Sequence, residues 1–284
     1  MGRFSERMGY KPAKTAIQVG AMDDELRNKL WNAFYLYYFD RLHQPGMYYE
    51  LVGDELIFFR VLWNNYFKQP FHNIPRSTKD ILDTVHAYFF MCKWFEVYDF
   101  IEFVANSFHD DAINTLFRSM CNSTLEREVS GYRFIGTTIA PITSSEEVDA
   151  IDEALAVTVS LKHVHTHLQQ ALTLLADRQA PDYRNSIKES ISAVETMCNL
   201  IAGTNTTLGP ALKKVGGLHP ALSGAFDKLY GYTSDAQGIR HGLMEEANLA
   251  LEDAKFMLVA CAAFVNYLLV KADKAGINLS GNES

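Results

Sequence analysis

An arginine and a histidine stand side by side at Arg240–His241, within the run Gly-Ile-Arg-His-Gly of residues 238–242. A neutral imidazole can take the proton of a ribose 2′-hydroxyl, and a guanidinium can grip two phosphate oxygens in a planar fork while charge builds on them. That pair suffices for cleavage of RNA without a metal, His241 acting as general base and Arg240 as phosphate stabiliser. The competing reading is a plain helix start, with Arg240 at the surface and His241 bonded to a carbonyl. A second polar group lies upstream in Tyr-Arg-Asn-Ser-Ile-Lys-Glu-Ser-Ile, residues 183–191. There Arg184, Asn185 and Glu189 could orient an imidazole or touch a phosphate. The alternative is a solvated helix face with Arg184 and Lys188 one turn apart.

His163, His165 and His167 form a third constellation. His163 and His167 share a helix face at the spacing of a metalloprotease motif, but Val164 follows His163 where that motif needs Glu. No nearby carboxylate completes a ligand set, so the prediction is solvated or hydrogen-bonded histidines, with neither a metal nor a cofactor.

These residues need elements to hold them. The chain has 284 residues, nearly half of them apolar, which is comfortable for two domains. Its net charge of −8 excludes a dedicated non-specific nucleic-acid binder. Lys213, Lys214, Lys228 and Arg240 against Asp227 and Asp235 make a small basic excess, read as a solvated loop that a dimer would double. Cys92, Cys121, Cys198 and Cys261 show no Cys-x-x-Cys spacing and read as buried free thiols of a reducing compartment. The first residues lack the apolar core of a signal peptide. Phe256–Val270 is apolar over 15 residues and contains Asn266, which is short for a membrane span and suits a buried helix. A cytoplasmic protein with no membrane partner is expected.

Asp23-Asp24-Glu25 opens a helix with Leu26, Leu30, Ala33 and Phe34 on one face. Thr78 or Asp80 caps another, carrying Ile81, Leu82, Val85, Phe89 and Cys92. Asp110-Asp111 starts a third. The aromatic runs 31–39, 58–67 and 88–103 have helical spacing without interleaved basic residues, so they read as core rather than as base-stacking platforms. Tyr132–Ile142 is β-branched and aromatic around Gly-Thr-Thr, which predicts a short β-hairpin. Ser144-Ser145-Glu146-Glu147 reads as a helix cap. Beyond it the spacing predicts a helix over 148–177, a second from Pro181-Asp182 to Gly203, short helices in the Gly- and Pro-rich stretch 209–220, and a last long helix over 244–272 with Glu245-Glu246 in its first turn. The fold class is all-α: a helical N-terminal domain ending in the hairpin (residues 1–145) and an antiparallel helical bundle (residues 146–284).

The segments Phe4-Ser-Glu-Arg-Met-Gly-Tyr10, Met22–Trp31, Tyr183–Glu195, Gly238–Gly242 and Asp253–Tyr267 together resemble abortive-infection proteins of the AbiJ type. Those pair a helical N-terminal domain with a C-terminal HEPN domain, an all-α bundle found in many ribonuclease toxins. The resemblance implies a homodimer whose two Arg-His motifs face each other, an RNA substrate, and a regulatory partner or phage-derived trigger acting through the N-terminal domain. It places Arg184 and Glu189 on a helix packed near the active centre. HEPN ribonucleases carry Arg and His separated by four to six residues, and no Arg and His of this sequence have that separation. A non-catalytic module binding a nucleotide, RNA or protein, or a purely structural dimerisation unit, would share the same bundle.

Overall fold

Side chains that satisfy the open N–H groups of a helix start decide where most helices begin. The computed structural model describes residues 4–8, 10, 17–40, 53–177, 181–215, 218–234, 249–277 and 279. After one turn, α1 (Phe4–Arg7), comes α2 (Asp24–Phe34), where Asp23 accepts the N–H of Leu26. Helix α2 continues into a π-helical turn at Tyr35–Phe39, and α3 (Gly53–Val61) into another at Leu62–Tyr66. Helix α4 (Thr78–Met91) is capped by Ser77, one residue before Thr78 and three before Asp80, the two expected caps. Its last carbonyls, of Phe89 and Cys92, accept from the guanidinium of Arg27 at 2.6 and 2.9 Å. Glu96 receives the N–H of Lys93 at the start of α5 (Trp94–Ser107), and Asp110 caps α6 (Asp111–Arg127).

The aromatic runs are core. Leu26, Leu30, Phe34, Phe59, Trp63, Phe89, Phe100 and Phe117 are buried in one cluster. Buried tyrosines find partners: Tyr38 donates to Asn114 at 2.9 Å, and Tyr98 shares a 2.7 Å hydrogen bond with Ser130. Strands β1 (Arg133–Ile135) and β2 (Thr138–Ala140) pair antiparallel, Ile135 opposite Thr138, around a two-residue turn. Gly136 takes a left-handed φ of 55° there, a conformation that costs glycine nothing. Among the described residues this is the one named sheet, so the protein is all-α with a short hairpin.

The chain divides into two compact units, Met1–Thr143 and Ser144–Ser284. The second holds α7 (Ser145–Val157), α8 (Lys162–Ala176), α9 (Tyr183–Ala202), α10 (Leu208–Lys214), α11 (Pro220–Ser234) and α12 (Leu251–Lys274). Three sequence expectations need correction here. The single helix expected over 148–177 is broken at 158–161, where Thr158 turns its hydroxyl onto the Ala154 carbonyl at 2.6 Å and His165 donates to the Leu155 carbonyl at 3.1 Å. A β-branched run, Val157-Thr158-Val159, gives the helix little reason to continue. The last helix starts at Leu251 rather than Met244, because Asp253 accepts the Ala250 N–H at 2.9 Å and, with Glu252, supplies the first-turn charge assigned to Glu245-Glu246. Lys213 and Lys214 form the last turn of α10, where they complement the dipole, and Lys228 is an exposed residue of α11.

Helix α12 is about 36 Å long at 1.5 Å per residue. By length and composition it could cross a membrane, unlike the 15-residue stretch read from sequence. Here it packs on α7, α8 and α9, with Met257, Leu258, Cys261, Phe264, Val265 and Leu268 buried.

Three of the four cysteines are buried. Burial pushes the thiols of Cys198 and Cys261 up to about 12, and raises Cys121 as well. An unfolded thiol ionises near pH 8.5, so above that pH the unfolded chain releases protons that the native chain keeps. Stability is therefore expected to be fully present below about pH 8.5 and to fall as pH rises toward 12, by about 1.4 kcal/mol per pH unit for each protected thiol. Melting temperatures measured from pH 7.5 to 10.5 check this, and a flat profile would contradict it.

Candidate functional site

The hairpin of α8 and α9 carries most of the polar residues that could do chemistry. Small side chains bring the two helices close. Ser186 is fully buried and donates to the Ala171 carbonyl at 2.8 Å, while Ser190 donates back to the Ser186 carbonyl at 2.9 Å. Residues 171 and 186, and residues 167 and 189, lie opposite each other, so the helices run antiparallel. This register sets His167 against Glu189, whose carboxylate accepts from Nδ1 at 2.6 Å. Their side chains are 31% and 18% exposed, so the pair is open to solvent on one side. With Nδ1 donating, Nε2 is the acceptor of the neutral ring. A carboxylate behind an imidazole is the arrangement of a proton acceptor and its orienter. As a mere surface contact it would contribute at most about 1 kcal/mol.

Glu189 also edges a groove of about 430 Å³ along α8, lined by His165, Thr166, Gln169, Gln170, Thr173 and Leu174. The lining holds hydroxyl and amide groups, the His165 imidazole and the Glu189 carboxylate, and no Lys or Arg, so it offers a phosphate no permanent counter-charge. His163 is exposed one turn before His167. Among the described residues no group of three or more His, Cys, Asp or Glu could hold a metal ion.

The sequence-derived site residues fare differently. Asp182 caps α9 through the Asn185 N–H at 3.0 Å, and the Asn185 amide donates to the same carboxylate at 2.6 Å, so Asn185 serves the helix start. Arg184 is half-buried on the first turn of α9 and Lys188 is exposed one turn on. Arg240 and His241, with the rest of 235–248, lie outside the described residues. Helix α12 begins ten residues after His241, so the pair does not stand directly at its start. Sequence reasoning missed the engagement of His167 by Glu189. Its signal was available, because a short connection between two amphipathic helices forces an antiparallel register that places 167 near 189.

Residues 2–157, more than half of the chain, match the family model AbiJ N-terminal domain 4. No curated protein and no solved structure matches the chain. The matched stretch ends on the last residue of α7, a helix that packs chiefly against α12. Lys255 holds Glu147 at 3.0 Å, and Asn266 donates to the Ala150 carbonyl at 3.0 Å. A fragment of residues 1–157 would leave Val148, Ile151, Ala154 and Leu155 without that partner. It is therefore expected to bind more apolar dye and aggregate more readily than a fragment of residues 1–143. Equal behaviour of the two fragments would show α7 to be content without α12. The aromatic core of the first unit, the hairpin that closes it and the helix that follows it are the body of the matched domain, and the chain belongs to the AbiJ N-terminal domain 4 family of abortive-infection proteins.

Proposed function

We propose that this protein acts in the cytoplasm as an antiviral abortive-infection factor whose second unit is a HEPN-type domain cleaving RNA as a homodimer, without a metal. The observation that carries the reading is the AbiJ-type N-terminal domain placed before an all-helical unit that contains the Arg240–His241 pair. His241 draws the proton from a 2′-hydroxyl, which attacks the adjacent phosphate, and Arg240 stabilises the charge on the phosphorane-like transition state. The bond from phosphorus to the 5′-oxygen breaks, and the leaving oxygen takes a proton from water while the imidazolium of His241 returns its own to solvent. The products carry a 2′,3′-cyclic phosphate and a 5′-hydroxyl. Arg184 supplies a further cation on α9, and Glu189 acts through His167. The first unit receives the trigger, a regulatory partner or a phage product.

The spacing of Arg and His favours a second reading, a non-catalytic module that binds RNA, a nucleotide or a protein, because no Arg of this chain precedes a His by the interval of the HEPN ribonucleases. Incubating cellular RNA with the wild-type chain and with His241→Ala, in cells exposed to phage and with purified protein, separates the two. Cleavage lost with the imidazole supports the nuclease, and identical RNA from both proteins supports the module.

A further inference from the structure

The face of α12 turned away from the core is apolar and exposed. Taking Ala263 as the centre, every residue within about 40° of it around the helix is Glu252, Phe256, Val259, Tyr267, Val270 or Lys274. Phe256 is 59% exposed, Val270 52% and Tyr267 37%, while Ala263, Glu252 and Lys274 are exposed and Val259 is half-buried. The stripe runs the full length of the helix, and its residue intervals of 4, 3, 4, 4, 3 and 4 read the same in both directions.

We infer that this face is a self-complementary interface on which α12 of a second copy of the chain lies antiparallel, with the two-fold axis at Ala263. The palindromic spacing makes the pairing isologous. Phe256 meets Val270 of the partner helix, Val259 meets Tyr267, and Ala263 meets itself, where two methyl side chains let the backbones approach. Charge fixes the direction. The acidic end, Glu252, falls on the basic end, Lys274, in the antiparallel arrangement, whereas a parallel one would set like charges together at both ends. The same register brings Lys255 near Lys271, but Lys255 is held by Glu147 at 3.0 Å and Lys271 lies over the Tyr267 ring at 5.5 Å. The apolar centre supplies the affinity and the terminal charges supply register.

The inference rests on the homodimer of the proposed nuclease and names a surface for it. That surface sets the two starts of α12 about 36 Å apart, so it does not carry the facing Arg-His arrangement that the resemblance implies. It is tested without RNA, so the two readings fail separately. Under mild oxidation Ala263→Cys is expected to give a disulfide-linked dimer, since residues on a two-fold axis come within the backbone separation a disulfide needs. Phe256→Cys alone should remain uncross-linked, because its copies sit about 21 Å apart along the paired helices at 1.5 Å per residue. Phe256→Cys mixed with Val270→Cys should yield the heterodimer. The wild-type chain is the blank, with Cys121, Cys198 and Cys261 buried. Ala263→Glu should weaken the dimer at least about tenfold by sedimentation, with the circular dichroism spectrum unchanged. Self-linking of Phe256→Cys as strong as that of Ala263→Cys would overturn the antiparallel register. A monomer at all concentrations, or one that instead floats with phosphatidylcholine vesicles, would overturn the interface.

Discussion

His241→Ala is expected to lower RNA cleavage by about 10²–10⁴-fold, the usual cost of losing one well-placed acid–base group, while leaving the melting curve in place. The discrimination rests on two different quantities. A histidine that only decorates a helix start changes stability by about 1 kcal/mol or less and leaves chemistry alone. A general base does the reverse. Arg240→Ala should match His241→Ala in effect, since both act on one transition state. Arg240→Lys should restore little, because an ammonium cannot reproduce a two-pronged guanidinium–phosphate contact. EDTA should leave cleavage intact if the reaction needs no metal. Adjacent residues on a helix point about 100° apart, which would weigh against Arg240 and His241 sharing a substrate. Arg240 and His241 are not part of α12, which begins at Leu251. Glu189→Gln is the informative companion, since it removes the partner charge of His167 and keeps the size. A fall in cleavage confined to this variant's pH profile marks Glu189 as a positioning residue, and an unchanged profile marks the pair as structural.

Much of the helical framework is legible because local chemistry determines it. Asp23, Asp110 and Asp182 each accept N–H groups at the helix starts that their sequence positions predict, and Gly203 ends α9 in the left-handed conformation that glycine permits. Gly136 does the same for the hairpin. The misreadings occur where two local signals compete. Glu245-Glu246 and Glu252-Asp253 are equally good first-turn pairs, and the choice belongs to the Asp253 carboxylate that closes on Ala250. The break between α7 and α8 is set by a histidine from the following helix, His165, bonding a carbonyl of the preceding one, which periodicity does not register. The site is less legible than the fold for the same reason. Glu189 and His167 are 22 residues apart, and their meeting depends on the close approach that Ser186 and Ser190 allow across the hairpin. Asn185 has a site residue's chemistry, but its neighbour Asp182 claims it as a cap partner.

Phe100→Ala should destabilise the first unit by about 3–5 kcal/mol and leave the second unit folded. Phe100 is fully buried at the centre of the aromatic cluster, with ring centroids 5.0 Å from Phe34, 5.5 Å from Tyr66 and 5.6 Å from Phe89. Truncation removes the transfer energy of a phenyl ring, leaves a cavity walled by rigid rings that relax poorly, and breaks edge-to-face contacts worth about 0.5–1.5 kcal/mol each. The chain carries its own reporter. All three tryptophans, Trp31, Trp63 and Trp94, belong to the first unit. Tryptophan fluorescence therefore follows that unit alone, whereas far-ultraviolet circular dichroism follows the helices of both. In urea, Phe100→Ala should bring the fluorescence transition to lower denaturant and split the dichroism curve in two. Met197→Ala, which empties a fully buried position of α9, should cost about 2–5 kcal/mol and do the opposite, moving the dichroism curve while the fluorescence midpoint stays. Two separable responses would make each unit an independent folding body, so that a trigger binding the first could act without unfolding the second. Coincident shifts in both probes for both variants would mean instead that the units melt as one, and a signal reaching the first would then have to pass through a single cooperative structure.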